Sequence, residues 1–200
     1  MNIPDTGSVR WSENVILADA DFIDRVAFDL TVNIERMIGR RIPPADMSQW
    51  AVCAALDGGV RPGANHTQVV LIHDRSHGRM DNFVPSDYER ELGGQAFDDE
   101  RMGQFGFDHV ATGEFAGNGA TMVDLLRSLL AHSEVRRIVL VPDDADTLLA
   151  DTLRATLRDV DDDRRITLLA MQPTIGGNYR QEILGYSLMR ALGIDSNEIK

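Results

Sequence analysis

Short apolar runs recur along the chain, each bounded by polar or turn-forming residues. Four of them span residues 15–18, 69–72, 138–141 and 166–171, and a short, less apolar segment spans residues 107–111. Runs of this length that are rich in Val, Ile and Leu are typical of strands buried on both faces of a parallel sheet. The pattern therefore predicts about five buried strands, with 15–18 and 138–141 adjacent at the centre of the sheet.

The segments between these runs carry apolar residues at three- and four-residue spacing, which predicts amphipathic helices. Strands that alternate with helices over the whole chain predict an α/β fold, a three-layer α/β/α sandwich with a mainly parallel sheet. Thr121, followed by Asp124 three positions later, predicts the start of the third helix. The helical segments are 22–38, 45–56, 122–131, 148–157 and 178–192.

One long segment, at about 75–106, lacks this regularity. It is rich in Gly and acidic residues with scattered aromatics, and only residues 86–92 have a faintly helical pattern. Long irregular segments in compact domains are often functional lids or mobile. Because 200 residues suit a single domain, we expect one α/β domain over 1–200, with this insertion either mobile or packed over the carboxyl edge of the sheet.

Composition narrows the range of functions. The net charge is -12 and Lys200 is the only lysine, which excludes P-loop, pyridoxal and protein-kinase chemistry, since each needs a lysine at its site. The strong negative charge also argues against broad attraction to phosphate backbones. A single cysteine, Cys53, a polar start over residues 1–13 and the lack of a membrane-length apolar run lead us to expect a cytoplasmic protein that does not contact a membrane.

Carboxylates follow the apolar runs. Asp19 and Asp21 come directly after residues 15–18, and three more aspartates follow 138–141, while Asp124 or Glu114 comes from the region of the third helix. Parallel strands bring their carboxyl ends to one edge of a sheet, where α/β proteins place their sites. Two carboxylates about 4 Å apart repel by roughly 4 kcal/mol at an effective dielectric of 20. A hard divalent cation with oxygen ligands would offset that repulsion. The three later aspartates are Asp143, Asp144 and Asp146.

Three acidic segments, at 15–21, 119–126 and 138–146, resemble the motifs of PIN-like nucleases, in particular their NYN branch. The resemblance implies a parallel α/β fold and cleavage of single-stranded RNA by water activated with Mg²⁺ or Mn²⁺. Carried over by position, Asp19 resembles the first metal carboxylate, with Asp21 beside it. Asp124 resembles the carboxylate of the middle helix, and Asp144 and Asp146 the pair after the fourth strand.

Other interpretations remain open at this point. Each of these aspartates also suits a helix cap, a purely structural role. Asp19 and Asp21 resemble the first motif of haloacid-dehalogenase-like phosphatases, although that family normally holds phosphate with a lysine that this chain lacks outside position 200. A third alternative is a catalytically silent α/β module that binds a protein partner or forms a homo-oligomer.

Overall fold

The computed structural model describes residues 10–113, 116–195 and 197–199. Five α-helices and one π-helical turn, Tyr88–Leu92, alternate with strands in these residues. The strands are β1 Asn14–Asp19, β2 Ala45–Asp46, β3 Asn65–Asp74, β4 Phe83–Val84, β5 Ala96–Asp99, β6 Gly103–Thr112, β7 Arg137–Val141, β8 Arg165–Ala170 and β9 Arg180–Ile183. The α-helices are α1 Ala20–Ile38, α2 Met47–Asp57, α3 Asn118–Ala131, α4 Thr147–Thr156 and α5 Leu184–Ala191.

A seven-stranded sheet with the order β5-β6-β3-β1-β7-β8-β9 organises the fold. Its strands are parallel except for β5, which runs antiparallel to β6 at one edge. Val15 of β1 is in register with Ile138 of β7, which confirms that these two strands are adjacent, parallel and central. The sheet has two more strands than the expected five, because β5 and β9 are short and half-exposed and lack a long apolar run.

Two hydrophobic cores lie on opposite faces of this sheet. On one face α1, α2 and α5 cover alternate residues of β1 such as Ile16 and Ala18. On the other face α3 and α4 cover the residues between them, Val15 and Leu17. Strands buried on both faces are the reason why the apolar runs are continuous rather than alternating, and the α/β/α prediction is confirmed.

Two helix predictions are corrected by the structure. The third helix begins at Asn118, four residues before the predicted start, and its N-cap is Gly117 without a side-chain cap, so Thr121 and Asp124 lie inside the helix. The predicted closing helix over 178–192 is divided between β9 and α5. Arg180–Ile183 pairs with β8 in parallel, and this tertiary pairing overrides the local helical spacing.

The segment at about 75–106 is more regular than its sequence suggests. It contains β4, the π-helical turn, β5 and the start of β6, and its Phe83, Tyr88 and Leu92 side chains are almost fully buried. Two parts of it approach the carboxyl edge. The backbone amides of Asp81 and Asn82 donate to the Asp24 carboxylate of α1, and the ring of Tyr88 stacks on His73 near the end of β3. The rest packs beside β6 and α2.

No helix among the described residues is long and apolar enough to cross a membrane.

Candidate functional site at the carboxyl edge

The order of the central strands creates a crevice beyond the carboxyl ends of β1 and β7. From β1 the chain proceeds to β3 and β6 on one side of β1 and then returns to β7 on the other side. Such a topological switch point is where open α/β sheets bind ligands. A pocket of about 360 Å³ lies here, and we call it the carboxyl-edge pocket. Its polar lining consists of Asp19, Asp21, Asp74, His77, Asn118, Asp143 and Asp146.

Asp19 is the most buried of these side chains, with 5% of its surface exposed. It is the last residue of β1 and the N-cap of α1, and its Oδ1 accepts a hydrogen bond of 3.0 Å from the backbone amide of Phe22. The strand therefore delivers the carboxylate to the sheet edge, and the helix start fixes its orientation.

Asn118, the first residue of α3, joins two carboxylates. Its Nδ2 lies 2.9 Å from Asp19 Oδ1 and 2.8 Å from Asp21 Oδ2. Because both partners are acceptors, the side-chain NH₂ group, and not the amide oxygen, must face them. Two carboxylate oxygens from one strand end and helix start thus converge on a single point.

The pKa of Asp19 is raised to about 6, mainly by burial and in smaller part by the negative charges of Asp21 and Asp143. The hydrogen bonds from Phe22 and Asn118 act in the opposite direction but do not cancel the effect of burial. A carboxylate that is held partly protonated near neutral pH in a crevice is typical of functional sites.

Asp21 is held by the segment that follows β3. The backbone amide of Asp74 donates to Asp21 Oδ2 at 2.7 Å, and His77 Nδ1 lies 2.8 Å from Asp21 Oδ1. The hydrogen bond and charge of Asp21 raise the pKa of His77. The His77 side chain is 58% exposed, so this imidazole lies at the mouth of the pocket, where its protonated form is favoured by Asp21.

The aspartates after β7 have three different roles. Asp143 forms an ion pair of 2.7 Å with Arg25 of α1 and lines the pocket. Asp146 also lines it and caps α4 by accepting from the amide of Leu149. Asp144 does not line it, because its Oδ2 accepts from the backbone amides of Met171 and Gln172 at the end of β8.

Of the five carboxylates predicted as metal ligands, three line the carboxyl-edge pocket: Asp19, Asp21 and Asp146. Asp144 binds backbone, as described above, and Asp124 lies on the exposed side of α3 with 78% of its side chain exposed, 3.4 Å from Arg127. Glu114 lies outside the described residues. The structure adds His77 and Asn118, and sequence patterns missed Asn118 because the flanking Gly117 and Gly119 are typical of a turn, whereas Asn118 begins α3.

The carboxylates can be compared with what a metal requires. In the part of the chain that the structure describes, no group of three or more His, Cys, Asp or Glu side chains is arranged to hold a metal ion. Two carboxylates, those of Asp19 and Asp21, could still contribute to a metal site, since both present an oxygen to the point where Asn118 Nδ2 lies. Magnesium usually takes one or two carboxylates directly and keeps several waters. The oxygen-only pair therefore suits a hard cation that displaces the amide nitrogen.

Comparison with known proteins gives a family without an assigned activity. No curated protein matches the chain, and no solved structure matches it. The model of one family, described as a family of unknown function (DUF6621), matches residues 8–199, which include every residue of the carboxyl-edge pocket. The chain therefore belongs to the DUF6621 family.

Proposed function

We propose that the carboxyl-edge pocket is the active site of a divalent-metal-dependent nuclease that hydrolyses phosphodiester bonds of single-stranded RNA. The observation that carries the proposal is the convergence of Asp19 Oδ1 and Asp21 Oδ2 on one atom, Asn118 Nδ2, at 2.9 and 2.8 Å. The convergence lies at the topological switch point of the sheet, and the resemblance of the acidic segments to PIN-like nucleases supplies the reaction class.

Asp19 and Asp21 are the residues that would hold Mg²⁺ or Mn²⁺. When bound, the cation supplies charge neutralisation on the phosphate and a more acidic water. Asn118 then has to release at least one of its two carboxylate contacts, and its amide can turn to present oxygen instead of nitrogen. The first turn of α3 begins at this point without a side-chain cap, so its free backbone amides favour an anionic substrate there.

Two cationic side chains flank the carboxylates. The raised pKa of His77 favours its protonated form, which could pass a proton to the leaving oxygen of the cleaved strand. Arg25 lies on the other side, paired with Asp143 and 53% exposed, and can bind a phosphate oxygen without leaving a buried charge. Asp124 and Asp144 have no part in this proposed site, in contrast to the first expectation.

The proposal is tested by cleavage of a fluorescent single-stranded RNA with Mn²⁺ present and with EDTA. We expect wild-type cleavage to require the metal, Asp19→Asn to lose at least a hundredfold in rate, and Asp124→Asn, which makes the same change in charge on the exposed side of α3, to retain the wild-type rate. Absence of cleavage by a folded wild type, or equal loss in both variants, would overturn the proposal in favour of a binding module.

A further inference from the structure

A large cavity lies at the opposite, amino edge of the sheet. It measures about 790 Å³ and lies where β7, β8 and β9 begin, next to the loop between α2 and β3. Five arginines line it: Arg61, Arg137, Arg164, Arg165 and Arg180. Its lining contains two carboxylates, Asp161 and Asp162. In a chain of net charge -12, this amino-edge cavity is a local concentration of positive charge.

Arg137 lies between the sheet and the cavity, half-buried. Its Nη1 donates to Asn14 Oδ1 at 2.9 Å, whereas its buried Nε has no hydrogen-bond partner among the described residues. Burial lowers the pKa of Arg137, and the charges of Arg61 and Arg165 lower it further. A buried, unsatisfied guanidinium donor costs free energy unless an acceptor binds to it.

The other arginines leave much of this charge uncompensated. Neither Arg61 nor Arg165 forms an ion pair within 4.0 Å in the described part of the chain, and both are exposed. Arg164 donates to the backbone oxygen of Leu129, and Arg180 pairs with Glu182. Arginines usually mark sites for phosphate or carboxylate because the guanidinium presents a planar fork of donors.

The loop between β8 and β9, which forms one wall of the cavity, is held in place by hydrogen bonds. Asn178 Nδ2 donates to the backbone oxygens of Leu157 and Val160, which ties this loop to the end of α4. A Cβ atom at Gly177 would lie 2.3 Å from the ring of Tyr179, so only glycine allows the ring to pack there. The cavity therefore has a defined shape before any ligand binds.

We propose that the amino-edge cavity binds a small polyanion that carries at least two phosphate groups. Its volume lies within the roughly 300 to 1,000 Å³ that is usual for small-molecule sites. Five arginines and only two carboxylates line the cavity, which matches a ligand with several negative charges. Arg61 and Arg165, which form no ion pair within the described residues, are the arginines proposed to bind its phosphates. Because the cavity is of small-molecule size, we propose a small polyanion and not a nucleic-acid strand as its ligand.

The test is isothermal titration calorimetry of the full chain in EDTA with tripolyphosphate, ADP and citrate as separate ligands. We expect tripolyphosphate or ADP to bind at micromolar concentration and low salt, with citrate weaker by tenfold or more. Tighter binding of ADP than of tripolyphosphate would identify a nucleotide, and the reverse an inorganic polyphosphate. Arg61→Gln and Arg165→Gln should each weaken binding about tenfold, as expected for a charge-assisted hydrogen bond.

The matched control is Arg136→Gln. Arg136 is adjacent to Arg137 in sequence and exposed, but it lies outside the cavity and pairs with Asp163, so this variant should keep the wild-type affinity. Arg61 and Arg165 are exposed, and their replacement should leave the thermal melt of the free protein unchanged. The proposal is overturned by a lack of phosphate binding at millimolar concentration, by equal weakening in all three variants, or by arginine-dependent binding of an RNA oligonucleotide alone.

Discussion

The side-chain amide of Asn118 lies 2.9 Å from the carboxylate of Asp19, although 99 positions separate the two residues in the sequence. This contact joins the end of β1 to the start of α3, the helix that leads from β6 to β7. The same nitrogen contacts Asp21, and it therefore separates two negative charges that would otherwise repel. Replacement of Asn118 by Ala should lower the free energy of unfolding by about 1 to 3 kcal/mol, because two acceptors lose their shared donor.

Urea denaturation at pH 7 measures this loss. Asn33→Ala is the matched control, since Asn33 is exposed on α1 and its replacement should change stability by no more than about 0.5 kcal/mol. An equal effect of the two substitutions would show that the contact of Asn118 with the carboxylates does not contribute to the free energy of unfolding.

The raised pKa of Asp19 predicts that its replacement stabilises the protein at neutral pH. The folded state holds the proton up to a pH of about 6, whereas the unfolded chain releases it near the ordinary aspartate pKa of 3.8. The unfolded state thus binds fewer protons in this interval, and stability falls as the pH rises through it. A difference of about two pKa units corresponds to about 3 kcal/mol.

Asp19→Asn should therefore be more stable than wild type by about 2 to 3 kcal/mol at pH 8, with the difference vanishing below pH 4. Asparagine can still cap α1 and accept from Asn118. Burial also raises the pKa of Asp57 to about 6. The variant Asp57→Asn therefore measures how much Asp57, and not Asp19, contributes to the pH dependence of stability. Equal stabilities of wild type and Asp19→Asn at pH 8 would contradict a raised pKa of Asp19 in the folded state.

His77 provides a spectroscopic test of the pocket. Its hydrogen bond to Asp21 raises its pKa, so Asp21→Asn should lower the pKa of His77 measured by NMR titration. Asp81 makes only a smaller, more distant contribution, and Asp81→Asn should lower it less. The contribution of the pair to stability is present below the unfolded pKa and is lost as the pH rises through the folded pKa. A His77 pKa that does not respond to Asp21→Asn would show that the pair does not form in solution.

Asp144 and Asp124 should contribute differently to stability, because Asp144 binds backbone amides and Asp124 is exposed. Asp144→Ala removes the acceptor of two backbone amides, those of Met171 and Gln172, and should cost about 1 to 3 kcal/mol. Asp124→Ala should change stability by no more than about 0.5 kcal/mol, because it loses only an exposed ion pair with Arg127. Thermal melts of the two variants measure both effects, and comparable losses would contradict these roles.

The sequence predicted the centre of the fold better than its edges, for a physical reason. Strands β1 and β7 are buried on both faces, so their apolar runs are unambiguous. By contrast, β9 has only partly buried or exposed residues, and its parallel pairing with β8 is a tertiary effect that local spacing does not reveal. The π-helical turn Tyr88–Leu92 likewise depends on a tertiary contact, since the buried ring of Tyr88 stacks on His73 of β3.

The candidate site was predicted only in part for a similar reason. Asp19 follows a buried strand, so its position at the sheet edge could be inferred from sequence alone. The contacts of Asp144 depend on where the chain passes after β8, which no local pattern contains. Asn118 escaped notice because its flanking glycines suggest a turn, whereas Gly117 is the N-cap of α3.

The central claim, that Asp19 and Asp21 hold a divalent cation, is tested most directly by thermal melts with and without Mn²⁺. A ligand that binds only the folded state stabilises it by about 2.7 kcal/mol at a hundred times its Kd. We predict such a shift for wild type and for Asp124→Asn, and its loss in Asp19→Asn, even though that variant is the more stable without metal. A wild-type melting temperature that does not respond to Mn²⁺, or a shift that persists in Asp19→Asn, would contradict the claim.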